Sequence, residues 1–88
     1  MTDPSVARVR LRLFASAREA AGCRDAPFDV GTLGELLDAA RVAYGTAFSA
    51  VLDGSRVWVN GEDPPDGPAT ALRDADEVAV LPPVSGGA

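Results

Sequence analysis

The clearest strand signal lies in the run Arg8-Val9-Arg10-Leu11-Arg12-Leu13, because basic and aliphatic side chains alternate strictly along it. A period of two residues places alternate side chains on opposite faces of a β-strand. The run therefore predicts a strand with an aliphatic face toward a core and an arginine face away from it. We favour a solvated arginine face, partly paired with the chain's own acidic groups, over a basic surface that meets an acidic partner.

Two sequences that follow this strand have the spacing of a helix capping box, in which a hydroxyl side chain and a glutamate three residues later cap the first turn. Ser16 and Glu19 predict a helix that begins at Ser16 and ends about two turns later at Gly22. Thr32 and Glu35 predict a second and longer helix. A glycine at the end of a helix is expected to adopt the left-handed conformation.

One apolar stripe follows the second capping box at intervals of three and four residues, as in an amphipathic helix. Its members are Leu33, Leu36, Leu37, Ala40 and Tyr44. The stripe predicts the principal helix of the protein, which ends near Gly45. A further helical turn is expected at residues 48–52, closing on Asp53-Gly54.

Three more segments have β character. Residues 27–30 form a brief extended stretch, residues 56–59 end at the turn pair Asn60-Gly61, and residues 77–81 end at a proline pair that cannot continue a ladder. Residues 62–69, which are rich in proline, acid and glycine, predict a surface loop.

A strand at each end with one long helix between them predicts an α+β roll, in which a mixed sheet packs on that helix and its first and last strands are neighbours. Ala79 and Leu81 are expected on the outer face of this sheet, beside the arginines. We expect one domain over residues 1–83 and a flexible tail over residues 84–88, because short chains hold a single core.

The composition excludes several classes of function. The 88 residues include 13 acidic and eight basic side chains, which gives a net charge of −5, the wrong sign for a nucleic-acid-binding protein. Every basic residue is arginine, so lysine and histidine are missing as general bases, Schiff-base amines or metal ligands. Cys23, the single cysteine, follows a predicted helix end and is expected to be a partly buried, inert thiol. We expect no bound cofactor and no metal.

The first residues, Met1-Thr2-Asp3-Pro4, lack the basic and then apolar pattern of a secretory signal. The longest apolar run, residues 78–84, is far shorter than the ~20 residues that span a bilayer. We therefore expect a cytoplasmic protein without a membrane partner.

The tail has a composition that folding does not require. Ser85, Gly86 and Gly87 pack little and lose much conformational entropy when they are ordered. Pro82-Pro83 stiffens the exit from the last strand. Such a segment can enter a narrow channel of a partner, since glycine has no β-carbon. A simple disordered terminus is the alternative.

Four segments in order carry a resemblance that covers nearly the whole chain. They are Leu13 to Gly22, Val59-Asn60-Gly61, Asp74 to Ala79 and, most specifically, Pro82-Pro83-Val84-Ser85-Gly86-Gly87. These segments resemble the small subunits of molybdopterin synthase, a family of ubiquitin-like sulfur carriers related to the sulfur carrier of thiamin biosynthesis. The resemblance implies a ubiquitin-like β-grasp fold.

The resemblance also implies a function. An activating enzyme uses ATP to adenylate the terminal glycine, and sulfur transfer then gives a thiocarboxylate, which would form here on Gly87 with Gly86 as the slender approach to it. The synthase large subunit receives the tail, and the carrier is a co-substrate rather than a catalyst. Because Ala88 follows Gly87, we expect a processing metalloprotease to remove it first.

Two alternatives remain open at this stage. The carrier could supply sulfur for cysteine or thiamin synthesis, which the tail does not distinguish. It could also be a ubiquitin-like binding module that is never activated, for which Ala88 is the best support.

Residues near the tail are candidates for contact with these partners. Leu81 and Trp58 are expected to form an apolar docking patch, although Trp58 could equally be a core residue. The remaining candidates are Pro82, Pro83, Val84 and Ser85. Asp74, Asp76 and Glu77 are interpreted as a turn before the last strand rather than as metal ligands.

Overall fold

A computed structural model describes residues 6–83 of the chain. Four strands and three α-helices succeed one another with one short 3₁₀ helix before the last strand. In chain order they are β1 (Ala7–Leu13), α1 (Ala15–Ala21), β2 (Asp25–Val30), α2 (Leu33–Tyr44), α3 (Thr46–Asp53), β3 (Arg56–Val59), the 3₁₀ helix (Gly67–Ala69) and β4 (Glu77–Leu81). The predicted tail, residues 84–88, lies outside the described residues.

The strands form one mixed sheet in the order β2-β1-β4-β3. β1 pairs with β4 in parallel, with Leu11 beside Val78 and Leu13 beside Val80, and the two outer pairings are antiparallel. The predicted adjacency of the first and last strands is therefore confirmed, and so is the mixed sheet.

The core lies between the sheet and the helices. Alternate residues of β1 are buried, as the alternation predicts, with Leu11 fully inaccessible. Leu36 of α2 and Phe48 of α3 are also fully buried, and so are Val78 and Val80 of β4. Each large side chain that is removed from water in this way contributes about 1.5–3 kcal/mol.

The two predicted capping boxes have different outcomes. The Thr32 hydroxyl accepts a hydrogen bond from the Glu35 amide at 3.2 Å, and the Glu35 carboxylate accepts one from the Thr32 amide at 3.1 Å, as predicted. The box at Ser16 is wrong. The N-cap of α1 is Phe14, no side chain caps this helix, and Ala15 has a φ of 49°.

The physical reason is the directness of the connection between β1 and α1. The chain passes from the strand into the helix through Phe14 and Ala15, and the Phe14 carbonyl accepts the Ala17 amide at 3.0 Å. Ser16 already lies inside the first turn, so its hydroxyl cannot occupy the N-cap position. The predicted end of α1 is confirmed, because Gly22 has a φ of 79° and its amide bonds to the Arg18 carbonyl.

The turn after β3 has the predicted geometry. Asn60 and Gly61 both have positive φ, 52° and 81°, as a two-residue type I′ turn requires. The turn brings Glu62 back beside Val59, with backbone hydrogen bonds of 2.8 and 3.1 Å in the two directions. The residues after it are mostly exposed, which confirms the predicted surface loop, but they return to the core at Thr70 and Leu72.

Candidate functional site

The C-terminal segment leaves the sheet at a defined edge. Because β1 and β4 are parallel and Leu13 pairs with Val80, the carboxyl ends of both strands lie at the same edge. We call this edge the exit edge. Pro82 and Pro83 follow β4 there, Pro82 half-buried and Pro83 exposed.

An apolar groove lies beside this exit, on the outer face of the sheet. It has a volume of about 360 Å³. Its lining consists of Gly54, Arg56, Trp58, Leu81, Pro82 and Pro83. The structure thus brings together all the predicted partner-binding residues that it describes, and we call this surface the exit groove. Val84, Ser85, Gly86 and Gly87 lie outside the described residues.

Trp58 lies on the outer face, opposite Ala79, with 37% of its surface exposed. Its neighbours Val57 and Val59 pack against the core. Of the two interpretations that the sequence left open for this tryptophan, the core residue is therefore wrong. Ala79 and Leu81 are half-buried on the outer face, whereas Val78 and Val80 are buried, as expected.

Phe14 is an exposed aromatic residue that the sequence reasoning missed. It is 39% exposed, and the Arg12 guanidinium carbon lies 5.8 Å from the centroid of its ring, within range of a cation–π contact. The sequence alone could have indicated this exposure, because Phe14 is the next even-numbered residue after Arg10 and Arg12, which point away from the core. It extends the apolar surface of the exit edge toward β1.

The arginines of β1 are largely occupied by the chain's own carboxylates. Arg10 contacts Asp25 at 2.6 Å, Arg12 contacts Glu77 at 3.2 Å, and Arg8 approaches Asp29 at 3.4 Å. All three arginine side chains remain more than half exposed. Exposed pairs of this kind each contribute about 0–1 kcal/mol. The prediction of a solvated, partly self-paired face is confirmed.

The acidic residues before β4 hold a turn. The Asp74 carboxylate accepts the Arg8 amide at 2.8 Å, and Asp76 accepts the Arg73 amide at 2.8 Å and the Asn60 side-chain amide at 2.9 Å. Their interpretation as turn residues is confirmed for Asp74 and Asp76 but is wrong for Glu77, which is the first residue of β4 and contacts Arg12. Within residues 6–83, no group of three acidic, cysteine or histidine side chains is arranged to hold a metal ion.

Cys23 is half-buried and donates a hydrogen bond to the Tyr44 hydroxyl at 3.4 Å. Tyr44 also packs edge-to-face against Phe28 and Phe48, at centroid distances of 6.4 and 5.1 Å. Burial, together with a smaller contribution from the contact with Cys23, raises the pKa of Tyr44 to about 12. This environment agrees with the predicted structural thiol.

The longest helix of the described part, α2, has 12 residues. Among residues 6–83 there is no helix with both the length and the apolar character needed to cross a bilayer.

The chain is similar to known proteins over almost its whole length. Residues 11–87 match the ThiS family. Small archaeal modifier protein 3 of Haloferax volcanii is 38% identical over 90 residues, covering 90% of this chain and 98% of the relative. The molybdopterin synthase sulfur carrier subunit of Chlamydomonas reinhardtii is 33% identical over 82 residues, covering 91% and 99%.

The same relation holds for solved structures. The solution structure of small archaeal modifier protein 1 from Methanosarcina acetivorans superposes with a TM-score of 0.82 at 31% identity, covering 93% of this chain and 98% of that one. This likeness, together with the mixed sheet on α2, confirms the predicted β-grasp fold. The extent of the family match, residues 11–87, means that the chain belongs to the ThiS family of ubiquitin-like sulfur carriers.

Proposed function

We propose that this chain carries sulfur as a thiocarboxylate on Gly87 and donates it in the synthesis of molybdopterin. The single observation that carries the proposal is the extent of the family match, which ends at Gly87 and leaves out Ala88. The placement of Pro82 and Pro83 beside an exposed apolar groove gives further support, since a partner that receives the segment has a surface on which to dock.

The proposed chemistry starts with a free carboxylate. Whatever follows Gly87, beginning with Ala88, is removed by hydrolysis of the peptide bond, which we assign to a metalloprotease. The carboxylate of Gly87 then attacks the α-phosphorus of ATP, and pyrophosphate leaves. Sulfide attacks the carbonyl carbon of the resulting acyl adenylate, AMP leaves with the electron pair of the broken C–O bond, and loss of the S–H proton gives the thiocarboxylate. ATP belongs to the activating enzyme and is not held by this chain.

The partners follow from this chemistry. An adenylating enzyme must bind the carrier first, and the large subunit of the synthase must then receive the thiocarboxylate. The relative from Chlamydomonas reinhardtii, by its name a subunit of molybdopterin synthase, supports the choice of this acceptor. Trp58 and Leu81 provide the apolar part of the contact, since such residues at the centre of an interface carry much of its binding energy.

Intact mass spectrometry of the protein isolated from its own cells tests the proposal. We expect a chain that ends at Gly87 and has one oxygen replaced by sulfur. In cells that lack the activating enzyme, the same chain should retain its oxygen. A mass that includes Ala88 under all conditions would contradict the proposal and favour the binding module that is never activated.

The pathway needs its own measurement. Deleting the gene should abolish the activity of molybdenum-dependent enzymes and leave growth without added thiamin or cysteine unchanged. A requirement for thiamin or cysteine in the deletion strain would assign the carrier to one of those pathways.

A second function is favoured by a specific observation. The relative at 38% identity is named a modifier protein, so the adenylated Gly87 could instead be attacked by the amine of a lysine on another protein, forming an amide. Digestion of cell proteins followed by a search for lysines that carry a C-terminal remnant of this chain distinguishes the two outcomes. The chain itself contains no lysine and cannot form polymers on its own side chains.

A further inference from the structure

A second depression opens at the exit edge, on the side away from the exit groove. It has a volume of about 290 Å³ and is formed by the end of β1, by α1 and by the start of β2. Its lining consists of Arg12, Leu13, Phe14, Arg18, Arg24 and Asp25. We call it the arginine cleft.

The charges in the arginine cleft are not balanced. Its lining includes three arginines and one carboxylate, Asp25, which already contacts Arg10 at 2.6 Å. Arg12 contacts Glu77 at 3.2 Å, which leaves Arg18 and Arg24 as the source of the excess positive charge. The salt bridges among residues 6–83 are made by Arg8, Arg10, Arg12 and Arg41, and none of them involves Arg18 or Arg24. The cleft is thus a local positive site on a chain whose net charge is −5.

The arginines that form no salt bridge with another described residue are concentrated near the exit edge. Arg18 and Arg24 lie in the arginine cleft, and Arg56, which pairs with Leu81, lies in the exit groove on the other side of β4. Arg73 also forms no salt bridge among residues 6–83, but its amide is bonded in the turn before β4, at the opposite edge of the sheet. Of the four arginines that have no carboxylate partner within residues 6–83, three therefore lie at the exit edge.

We infer that the arginine cleft binds carboxylate side chains on the adenylating enzyme, beside the entrance through which that enzyme receives the C-terminal segment. The inference rests on the proposed function, because it needs a protein that accepts Gly86 and Gly87. Guanidinium groups match carboxylates in a two-bond geometry, and a positive rim around an apolar patch speeds association and fixes orientation. The cleft continues the apolar surface of the exit edge through Phe14, so one partner surface can cover both.

The solvent exposure of the cleft arginines limits how much they contribute to binding. Arg18 and Arg24 are exposed side chains, so their contribution is screened by salt and falls on association more than on the chemical step. Removing both charges should weaken recognition at low ionic strength and leave turnover of the bound carrier unchanged. The matched control is the pair Arg8 and Arg73, which lies toward the opposite edge.

The test is ATP–pyrophosphate exchange by the adenylating enzyme of the same organism, with the chain ending at Gly87 as the substrate. For the double variant Arg18→Gln and Arg24→Gln, we expect KM to rise about tenfold at about 50 mM salt, and less than about twofold at about 500 mM salt, with kcat unchanged. The control, Arg8→Gln with Arg73→Gln, loses the same charge and should change KM by less than about twofold at either ionic strength. Thermal unfolding verifies that both variants fold.

Three results would overturn the inference. Equal effects of the two double variants would reduce the cleft to a contribution to net charge, while the proposed function would stand. If millimolar inorganic phosphate removed the difference between them and sodium chloride of the same ionic strength did not, the cleft would be a small-anion site. If the unaltered chain supported no exchange at all, the proposed function would fail, and the inference with it.

Discussion

The inner and outer faces of the sheet differ in how completely they are filled. On the inner face, Leu11, Val78 and Val80 are fully inaccessible to solvent. On the outer face Trp58 of β3 remains 37% exposed, and Phe14, which follows the end of β1, remains 39% exposed. A period of two residues thus separates the side chains that stabilise the fold from those that stay exposed to solvent, and the exposed ones form the surface on which we propose that a partner binds.

Gly87→Val should have the largest effect on sulfur transfer and almost none on stability. Any other combination would contradict the separation of the two faces. A side chain on the α-carbon, next to the carboxyl carbon that accepts sulfur, would block entry into a narrow channel of a partner. We therefore expect sulfur transfer to fall below detection, measured as thiocarboxylate by mass spectrometry. The free energy of unfolding in urea should change by less than about 0.5 kcal/mol, as for surface substitutions. A large loss of stability would mean that the residues after Val80 support the core.

Phe48→Ala tests the core that packs against the inner face of the sheet, because Phe48 lies on α3. Phe48 is fully buried, so the substitution leaves a cavity and should lower the free energy of unfolding by about 3–5 kcal/mol. Urea denaturation followed by circular dichroism measures the loss. A loss of less than about 1 kcal/mol would show that the core closes around the missing ring, and that its packing is less exact than the burial of Phe48 indicates.

Trp58→Ala tests the outer face. We expect the affinity for the adenylating enzyme to fall about 30-fold, the equivalent of a 2 kcal/mol hot spot, and stability to fall by less than about 1 kcal/mol. Val42→Ala is the control, because Val42 is 87% exposed on α2 and does not line the exit groove. Equal affinities of the two variants, measured by titration calorimetry, would remove Trp58 from the docking surface.

Substitutions at the N-termini of α2 and α1 should have smaller effects on stability. Thr32→Ala removes a cap that is present and should cost about 1 kcal/mol, whereas Ser16→Ala removes no cap and should cost less than about 0.3 kcal/mol. Thermal unfolding of both variants under one condition gives the difference. A loss at Ser16 as large as that at Thr32 would contradict the observed N-cap at Phe14.

The last effect appears only in strong base. The pKa of Tyr44 rises from 10.0 to about 12 on folding, chiefly because burial disfavours its ionised form. Between these values the unfolded chain loses the tyrosine proton and the folded chain keeps it, so stability should fall as pH rises from about 10 to about 12 and should be unaffected by this group below that range. Denaturation midpoints across this range should decline less steeply for Tyr44→Phe, and identical slopes would contradict the shift.

The sequence predicts most of the fold because its strongest signals are local. The alternation in β1, the apolar stripe of α2 and the turn pair Asn60-Gly61 each specify their own conformation within a few residues. The predicted cap at Ser16 is wrong for a reason that is equally local. Capping requires a residue outside the helix, and spacing alone does not indicate where the preceding strand delivers the chain.

The candidate site is less accessible from the sequence, because it depends on pairing between distant residues. The exposure of Trp58 follows from Val57 and Val59 once the core side of β3 is known. The arginine cleft could not be predicted, since the register of β1 with β2 and β4 decides which arginines meet a carboxylate. The burial of Leu72 could not be predicted, because it follows a polar loop that gives no periodic pattern.

The position of β4 has a mechanical consequence. This strand lies between β1 and β3, and the segment that would enter a partner continues directly from its carboxyl end. Tension on Pro82 along the strand axis therefore acts in shear on two ladders of hydrogen bonds at once, rather than peeling them open one by one. A pull on the C-terminal segment is thus resisted by both ladders together, whereas an outer strand of the sheet would be held by one ladder alone.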